Sequence, residues 1–256
     1  MANGSPGADS SVGVNNHING KTLVQLATDF YGTKPVFWGR YFTSTSAVGN
    51  VEYRHRKENR ILTESGVPVL PIARQTKHVD GTRALGSSDA EQNSEDLITT
   101  FGEDYLASLG GVFYMFLDVE GSPSLSQAYY IGWAHTLVSH SLDFSEGKVR
   151  ILPCIYATQA DDDTWQALAA AADTPGVSCS AAWVARWRSH GCAPLPDWSD
   201  DIVQPDVDLP CPVLVWQYAD DCNGGGGFDC DQTNPSIDLK KDLLDRLILP
   251  PAAEDT

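Results

Sequence analysis

The sequence has no long apolar run and few basic side chains. No segment approaches the roughly 18 consecutive apolar residues that a membrane-spanning helix needs. The 17 Lys and Arg residues are outnumbered by 34 Asp and Glu residues, so the formal net charge is −17. Nucleic acids and anionic membrane surfaces are bound by clustered Lys and Arg side chains, and this balance argues against both partners. The same charge favours a soluble monomer, and no basic and apolar leader is visible at the N-terminus.

The signature motifs of several enzyme classes are also missing. There is no G-x-S-x-G segment for a serine hydrolase, and none of the 6 histidines ends an expected strand. The glycine run at residues 224–227 lacks the lysine of a phosphate-binding loop, so no nucleotide cofactor is expected. No Cys or Cys/His spacing indicates a metal site. We therefore predict an activity without cofactor or metal; the alternative is an oxygen-ligand metal site built from Asp118, Glu120, Asp229 and Asp231.

All 6 cysteines lie in the second half of the chain. Two pairs flank short segments, Cys179 with Cys192 and Cys222 with Cys230. Six cysteines allow 15 connectivities, and their spacing does not choose among them. We predict at least two disulfides and hence an oxidising location, either secreted or associated with a cell wall. The alternative is a set of reduced, buried thiols.

Residues 111–121, G-V-F-Y-M-F-L-D-V-E-G, combine a buried strand with two acids. The run from Val112 to Leu117 is apolar and rich in aromatic side chains, which is typical of a strand buried on both faces. The two acids that follow, Asp118 and Glu120, share one face because side chains alternate along a strand. Their Cα atoms are expected roughly 6.5–7 Å apart. Such a pair is typical of an α/β active site, and the alternative is a solvated strand end with ordinary surface acids.

About eight strand-like segments alternate with helix-like segments along the chain. Strands are expected near residues 8–14, 36–42, 67–73, 112–119, 149–156, 177–187 and 212–218, followed by a loop and F-D-C-D at 228–231. Helices are expected near residues 20–31, 50–65, 88–109, 124–141, 163–172 and 236–248. Such alternation predicts parallel strands. We predict an α/β fold, a single-domain (β/α)8 TIM-like barrel over residues 8–249, with a disordered lead-in at 1–7 and a C-terminal tail at 250–256.

In a parallel barrel, the polar residues at the strand ends face one mouth. This prediction brings together acids, amides and aromatic side chains: Asp9, Arg40, Tyr41, Arg74, Gln75, Asp118, Glu120, Tyr156, Trp183, Gln217, Tyr218, Asp229 and Asp231. Aromatic faces stack on sugar rings, and acids and amides bond to sugar hydroxyl groups. We therefore predict a sugar-binding mouth. For Trp183 and Trp216 the alternative is a place in the core.

Several motifs occur in a fixed order along the chain. D-V-E ends a buried strand, W-Q-Y at residues 216–218 lies on a later strand, and F-D-C-D follows it. Together they resemble the glycoside hydrolase family 25 lysozymes, and more closely the glycoside-hydrolase-like domains of the family DUF1906. In that family a strand ending in R-Y is similar to Arg40-Tyr41, and a polar R-Q-T-like strand end is similar to residues 74–76. The resemblance extends from about residue 8 to residue 248.

The resemblance implies a TIM-like barrel whose mouth binds glycan and, in the lysozymes, cleaves the sugar backbone of peptidoglycan. Glu120 matches the general acid, and Asp118 matches the neighbouring carboxylate that stabilises positive charge at the sugar. Asp229 matches the acid after the W-Q-Y strand. Asp9 matches the acid on the first strand, where G-A-D-S-S departs from the usual G-[FIV]-D pattern.

These matches predict a glycoside hydrolase that acts on a β-linked glycan, with peptidoglycan as the first candidate. Glu120 must carry a proton to act as the acid, so its pKa should be raised by burial and by Asp118, which should stay ionised. The backbone spacing does not choose between retaining and inverting chemistry. The alternative is a glycan-binding protein of the same fold that does not turn over its ligand.

Overall fold

The computed structural model describes residues 3–43, 53, 55–74, 77–121 and 123–252. Its strands are β1 (Pro6–Asp9), β2 (His17–Ile18), β3 (Lys21–Thr22), β4 (Trp38–Thr43), β5 (Val69–Arg74), β6 (Val112–Val119), β7 (Arg150–Thr158), β8 (Ala182–His190), β9 (Val213–Cys222) and β10 (Phe228–Thr233). Strands β2 and β3 form a small hairpin, and the others close into a barrel in the order β1-β10-β9-β8-β7-β6-β5-β4. The predicted TIM-like α/β barrel is confirmed.

Helices follow most of the barrel strands. They are α1 (Leu23–Tyr31), α2 (His55–Ser65), α3 (Arg83–Phe101), α4 (Glu103–Ser108), α5 (Gln127–Phe144), α6 (Asp162–Ala172) and the short α7 (Asp200–Val203). The single helix expected at residues 88–109 is two helices, because Gly102 between them adopts a φ of 83°, which ends the first. Strand β1 begins at Pro6, two residues before the expected start. The expected helix at 50–65 begins outside the described residues.

The last barrel strand runs against the predicted direction. Strands β1 and β4 to β9 are parallel neighbours, whereas β10 pairs antiparallel with both β9 and β1. Only five residues separate β9 from β10, and a parallel connection needs a crossover of about a dozen or more. The F-D-C-D segment, expected at a strand's carboxyl end, therefore begins β10. Its antiparallel direction brings that beginning to the mouth formed by the carboxyl ends of the other strands.

The prediction of a helix at residues 236–248 is also wrong. The chain instead forms one π-helical segment (Leu239–Leu243) and one 3₁₀ turn (Leu244–Arg246). Leu243 and Leu247 pack into the apolar cluster inside the barrel. The segment therefore closes the amino end of the barrel with its leucines, whereas a straight amphipathic helix would lie alongside the barrel.

Side-chain alternation along the strands separates two apolar layers. One cluster lies between the barrel and the surrounding helices and includes Trp38, Phe42 and Trp216. The other fills the barrel interior and includes Phe116 and Trp183. The interior is packed at its middle and amino end, so the polar groups that face inward collect at the carboxyl mouth. No helix in the described residues is long and apolar enough to cross a lipid bilayer.

Candidate active site at the barrel mouth

Asp118 and Glu120 lie at the carboxyl end of β6 and face the barrel interior, as the strand pattern predicts. The Asp118 side chain is 4% exposed, and its Oδ1 accepts a hydrogen bond of 2.9 Å from the backbone N–H of Glu120. Glu120 is half-buried, and its Oε1 is buried without a hydrogen-bond partner among the described residues. In this pair the carboxyl group of Asp118 is anchored by a hydrogen bond, whereas Oε1 of Glu120 is not hydrogen bonded to a described residue.

The two carboxyl groups have different pKa values. Burial, together with the nearby charge of Asp118, raises the pKa of Glu120 to about 8, against a smaller opposing effect of a hydrogen bond from Tyr156. Burial raises the pKa of Asp118 to about 6, and the Glu120 N–H and the Arg74 guanidinium limit that rise. Between these two values Glu120 is protonated while Asp118 is ionised. The predicted rise at Glu120, and its two causes, are confirmed.

Three further acids line up on β1 and β10. Asp9 is fully buried and is the register partner of Asp229, across the antiparallel β1–β10 pair. Asp229 accepts a hydrogen bond of 2.6 Å from the backbone N–H of Asp221, and burial raises its pKa to about 6. Asp231 is fully buried two residues further along β10. Burial raises the pKa of Asp9 and of Asp231 well above the ordinary range.

Gln217 connects the acids on β1 to the aromatic side of the mouth. Its Nε2 donates to Oδ2 of Asp9 at 2.9 Å. Its Oε1 accepts from the Tyr156 hydroxyl at 2.9 Å and from Nε1 of Trp187 at 2.6 Å. The Tyr156 hydroxyl also lies close enough to Glu120 to lower its pKa, so polar side chains extend across the mouth from β1 to β6.

A cavity of about 320 Å³ opens above this network. It is lined by Ser10, Ser11, Glu120, Trp187, Asp220, Asp221, Gly225, Gly226, Gly227, Phe228 and Asp229. The β9–β10 loop forms one wall, and Asp221, near the end of β9 before that loop, adopts a φ of 58°. The exposed ring of Trp187 and the carboxyl groups of Glu120 and Asp229 suit a sugar, which offers an apolar face and many hydroxyl groups.

Three predicted mouth residues lie elsewhere. Arg40 points away from the barrel interior and donates to both carboxylate oxygens of Glu58, at 2.7 and 3.0 Å, in a fully buried ion pair. Tyr218 also faces the outer layer, where its hydroxyl donates to the carbonyl of Ala193. Trp183 faces inward but is fully buried beneath the site, its ring centroid 4.4 Å from that of Tyr156. It therefore presents no face to a ligand.

The remaining predicted residues are divided between the mouth and the undescribed part of the chain. Tyr41 is inside the barrel, buried, with the Arg74 guanidinium carbon 5.3 Å from its ring centroid. Gln75 lies outside the described residues. Trp187, Asp220 and Asp221 were not predicted. Trp187 shares the inward face of β8 with Trp183, four residues earlier, so following the alternation to the last residue of the expected strand would have identified it.

The prediction of at least two disulfides is wrong, because the six cysteines form one disulfide and four of them are free. The disulfide joins Cys192 to Cys222, and so ties the end of β9 to the loop after β8 next to the cavity. Cys179 and Cys211 are reduced, with their Sγ atoms 3.0 Å apart. Neither Cys179–Cys192 nor Cys222–Cys230 is formed. Within the described part of the chain, no group of three or more His, Cys, Asp and Glu side chains has the arrangement of a metal site.

Comparison with solved structures identifies chains of the same fold. An uncharacterized protein from B. stearothermophilus superposes with a TM-score of 0.64 at 22% identity, covering 95% of this chain and all of that one. The spore cortex lytic enzyme SleM of Clostridium perfringens gives 0.54 at 17% identity, covering 92% and 68%. The catalytic domain of endolysin ply40 from Listeria monocytogenes bacteriophage P40 gives 0.52 at 15% identity, covering 94% and 98%. No protein-family model matches this chain, and no curated protein sequence does.

Proposed function

We propose that this protein is a glycoside hydrolase that cleaves a β-linked glycan, with peptidoglycan as the preferred substrate class. The observation that carries the proposal is the separation of pKa values between Glu120, at about 8, and Asp118, at about 6, at a cavity of sugar size. Two carboxyl groups whose pKa values differ in this way supply a proton donor and a fixed negative charge at the same pH. The resemblance to the family 25 lysozymes and to DUF1906 domains supports the same assignment.

In the proposed reaction Glu120 protonates the oxygen of the leaving sugar. Its Oε1 has no hydrogen-bond partner among the described residues, so the group can turn toward a bound glycan. Asp118 is anchored by the Glu120 N–H and stays ionised, and it stabilises the positive charge that develops at the reacting sugar. Asp229 and Asp9 supply further negative charge on the opposite side of the mouth. Trp187 offers its exposed ring to a sugar face.

The choice of peptidoglycan is supported by two neighbours in fold. One is an endolysin and the other a spore cortex lytic enzyme. A disulfide beside the cavity supports an extracellular or wall-associated location. The charge of −17 works against nucleic acid as a partner and favours a monomer. Counting thiols in protein isolated without reductant tests the location, since a cytosolic protein would have all 6 cysteines reduced.

A glycan-binding protein without turnover is the second candidate. It is favoured by the burial of Asp9, which has no exposed surface and so does not reach a bound sugar directly. If catalysis requires that acid in contact with the substrate, the mouth would bind glycan and leave it intact. Glycan retention without release of reducing ends would support this candidate.

The deciding experiment measures reducing ends released from purified peptidoglycan and from chitin oligomers. We expect release by the wild type and a loss of about 1,000-fold or more in Glu120→Gln, since the amide cannot give up a proton. Glu91→Gln, an exposed position on α3, is the matched control and should keep full activity. Activity near the wild-type level in Glu120→Gln, with an unchanged fold by circular dichroism, would remove Glu120 as the acid.

A further inference from the structure

Asp231 is a buried acid that the proposed reaction does not use. It faces the barrel interior on β10, in register with Gly7 of β1 and with Gln217 of β9, and it has no exposed surface. Neither of its carboxyl oxygens accepts a hydrogen bond from the described residues. The group that it faces is the carboxyl of Asp9, which lies on the same inward face of β1 and accepts from Gln217, the register partner of Asp231. Asp231 therefore has an acid as its neighbour where a buried acid normally has a donor.

Among the described residues, the groups with the largest influence on Asp231 carry no positive charge. The titratable groups that influence it are the carboxyl groups of Asp9 and Asp229 and the thiol of Cys230. The hydroxyls of two outer-layer tyrosines, Tyr31 and Tyr218, are also nearby. No salt bridge in the described part of the chain includes Asp231. Two adjacent buried carboxyl groups without a counter-charge cannot both ionise at modest cost, so the pair shares a proton.

The hydrogen bonds around the pair decide which acid holds that proton. Oδ2 of Asp9 accepts from Gln217 Nε2 at 2.9 Å, which stabilises the ionised form of Asp9. Asp231 has no corresponding donor. Oδ1 of Asp9 is buried and accepts no hydrogen bond from a donor among the described residues. A proton on Asp231 would satisfy that oxygen.

We propose that Asp231 is a neutral carboxylic acid that donates a hydrogen bond to Asp9 and holds Asp9 as an oriented carboxylate next to Glu120. Asp231 is thus a positioning residue, since it acts through Asp9 and does not reach the cavity. The catalytic consequence rests on the proposed function. The inference that Asp9 and Asp231 share a proton does not rest on the proposed function, because it follows from burial and contacts alone.

Two substitutions of Asp231 separate this role from that of an ionised acid. Asp231→Asn keeps a donor directed at Asp9, so we expect kcat within about threefold of the wild type. Asp231→Leu keeps the size but removes the donor, and we expect kcat to fall about 10- to 100-fold with KM unchanged. Thr233→Val is the control, an isosteric change on the same face of β10, and should leave kcat within about threefold. Equal losses in Asp231→Asn and Asp231→Leu would overturn the proposal, because they would show that the negative charge of Asp231 is required.

A second measurement does not depend on turnover. Carbon-13 NMR of aspartate carboxyl groups, assigned by their loss in the variants, should show Asp231 protonated and Asp9 ionised at neutral pH. In Asp231→Asn, Asp9 should remain a carboxylate at that pH. A carboxylate signal for Asp231 at neutral pH would overturn the proposal even in an active enzyme. Absence of activity in the wild type would instead count against the proposed function while this NMR result stood.

Discussion

Removing the charge of Asp118 should change the pH range in which Glu120 can act. The alkaline limb of kcat/KM reports loss of the proton from the acid in the free enzyme, and for Glu120 that limb is expected near pH 8. Asp118 is one of the causes of the raised pKa, second to burial. In Asp118→Asn this repulsion disappears, and Glu120 loses its proton at lower pH. The alkaline limb therefore moves toward acid.

The size of the movement follows from the separation of the two groups. With the expected Cα spacing of about 7 Å taken as the distance between the charges, their interaction is about 2 kcal/mol at an effective dielectric constant near 20. Since about 1.4 kcal/mol corresponds to one pH unit, the limb should move by about one to two units. Burial of Glu120 remains in the variant, so the limb stays above the usual range of a glutamate. The activity at the new optimum should fall about 100- to 1,000-fold, because the fixed charge that stabilises the transition state is gone.

The assay is initial rate at low substrate on soluble peptidoglycan fragments between about pH 5 and pH 10. Asp220→Asn is a graded control, since Asp220 has the smallest of the named influences on Glu120 and should move the same limb less. The acid limb is not diagnostic, because Asp229 also titrates at about 6. An alkaline limb that stays in place or moves upward in Asp118→Asn would refute the coupling between the two acids.

Three other predictions follow from the described contacts. Arg40→Met removes the cation of a fully buried ion pair with Glu58, and should reduce the free energy of unfolding in urea by about 3–5 kcal/mol without raising KM in the folded protein. Trp187→Ala should raise KM roughly tenfold and Trp187→Phe much less, if the exposed ring stacks on sugar. The folded pKa of Glu120 exceeds its unfolded value, so wild-type stability falls as pH rises from about 4.5 through about 8. Glu120→Gln should therefore unfold at a higher temperature than the wild type at pH 9 and at a similar temperature at pH 4, as measured by calorimetry.

The sequence identified the site wherever a strand could be recognised by its own composition. The apolar run of β6 ends in D-V-E, and alternation alone placed Asp118 and Glu120 on one face toward the barrel interior. The same rule divides the strand-end pairs at residues 40–41 and 217–218, which were predicted to face the mouth together. Adjacent residues point to opposite faces, so only Tyr41 and Gln217 of these pairs reach the interior.

The direction of β10 could not be read from local pattern. The F-D-C-D segment is short, and its antiparallel course follows from the length of the connection to β9 and from the closing of the barrel. The Cys192–Cys222 disulfide could not be predicted from the sequence for a related reason. Cys192 and Cys222 are 30 residues apart and meet only because β8 and β9 are neighbours that extend together beyond the barrel.

The two ends of the barrel differ in a way that stability does not explain. At the amino end, Leu243 and Leu247 close the interior with apolar side chains, which gains free energy on burial. At the mouth the same interior holds five carboxyl groups whose pKa values are all raised by burial: Asp9, Asp118, Glu120, Asp229 and Asp231. Each raised value means that the fold disfavours the ionised form, so the cluster costs stability near neutral pH. Leucines at the mouth would close the barrel as they do at the other end, whereas the acids give the proposed reaction its proton donor and its fixed negative charge.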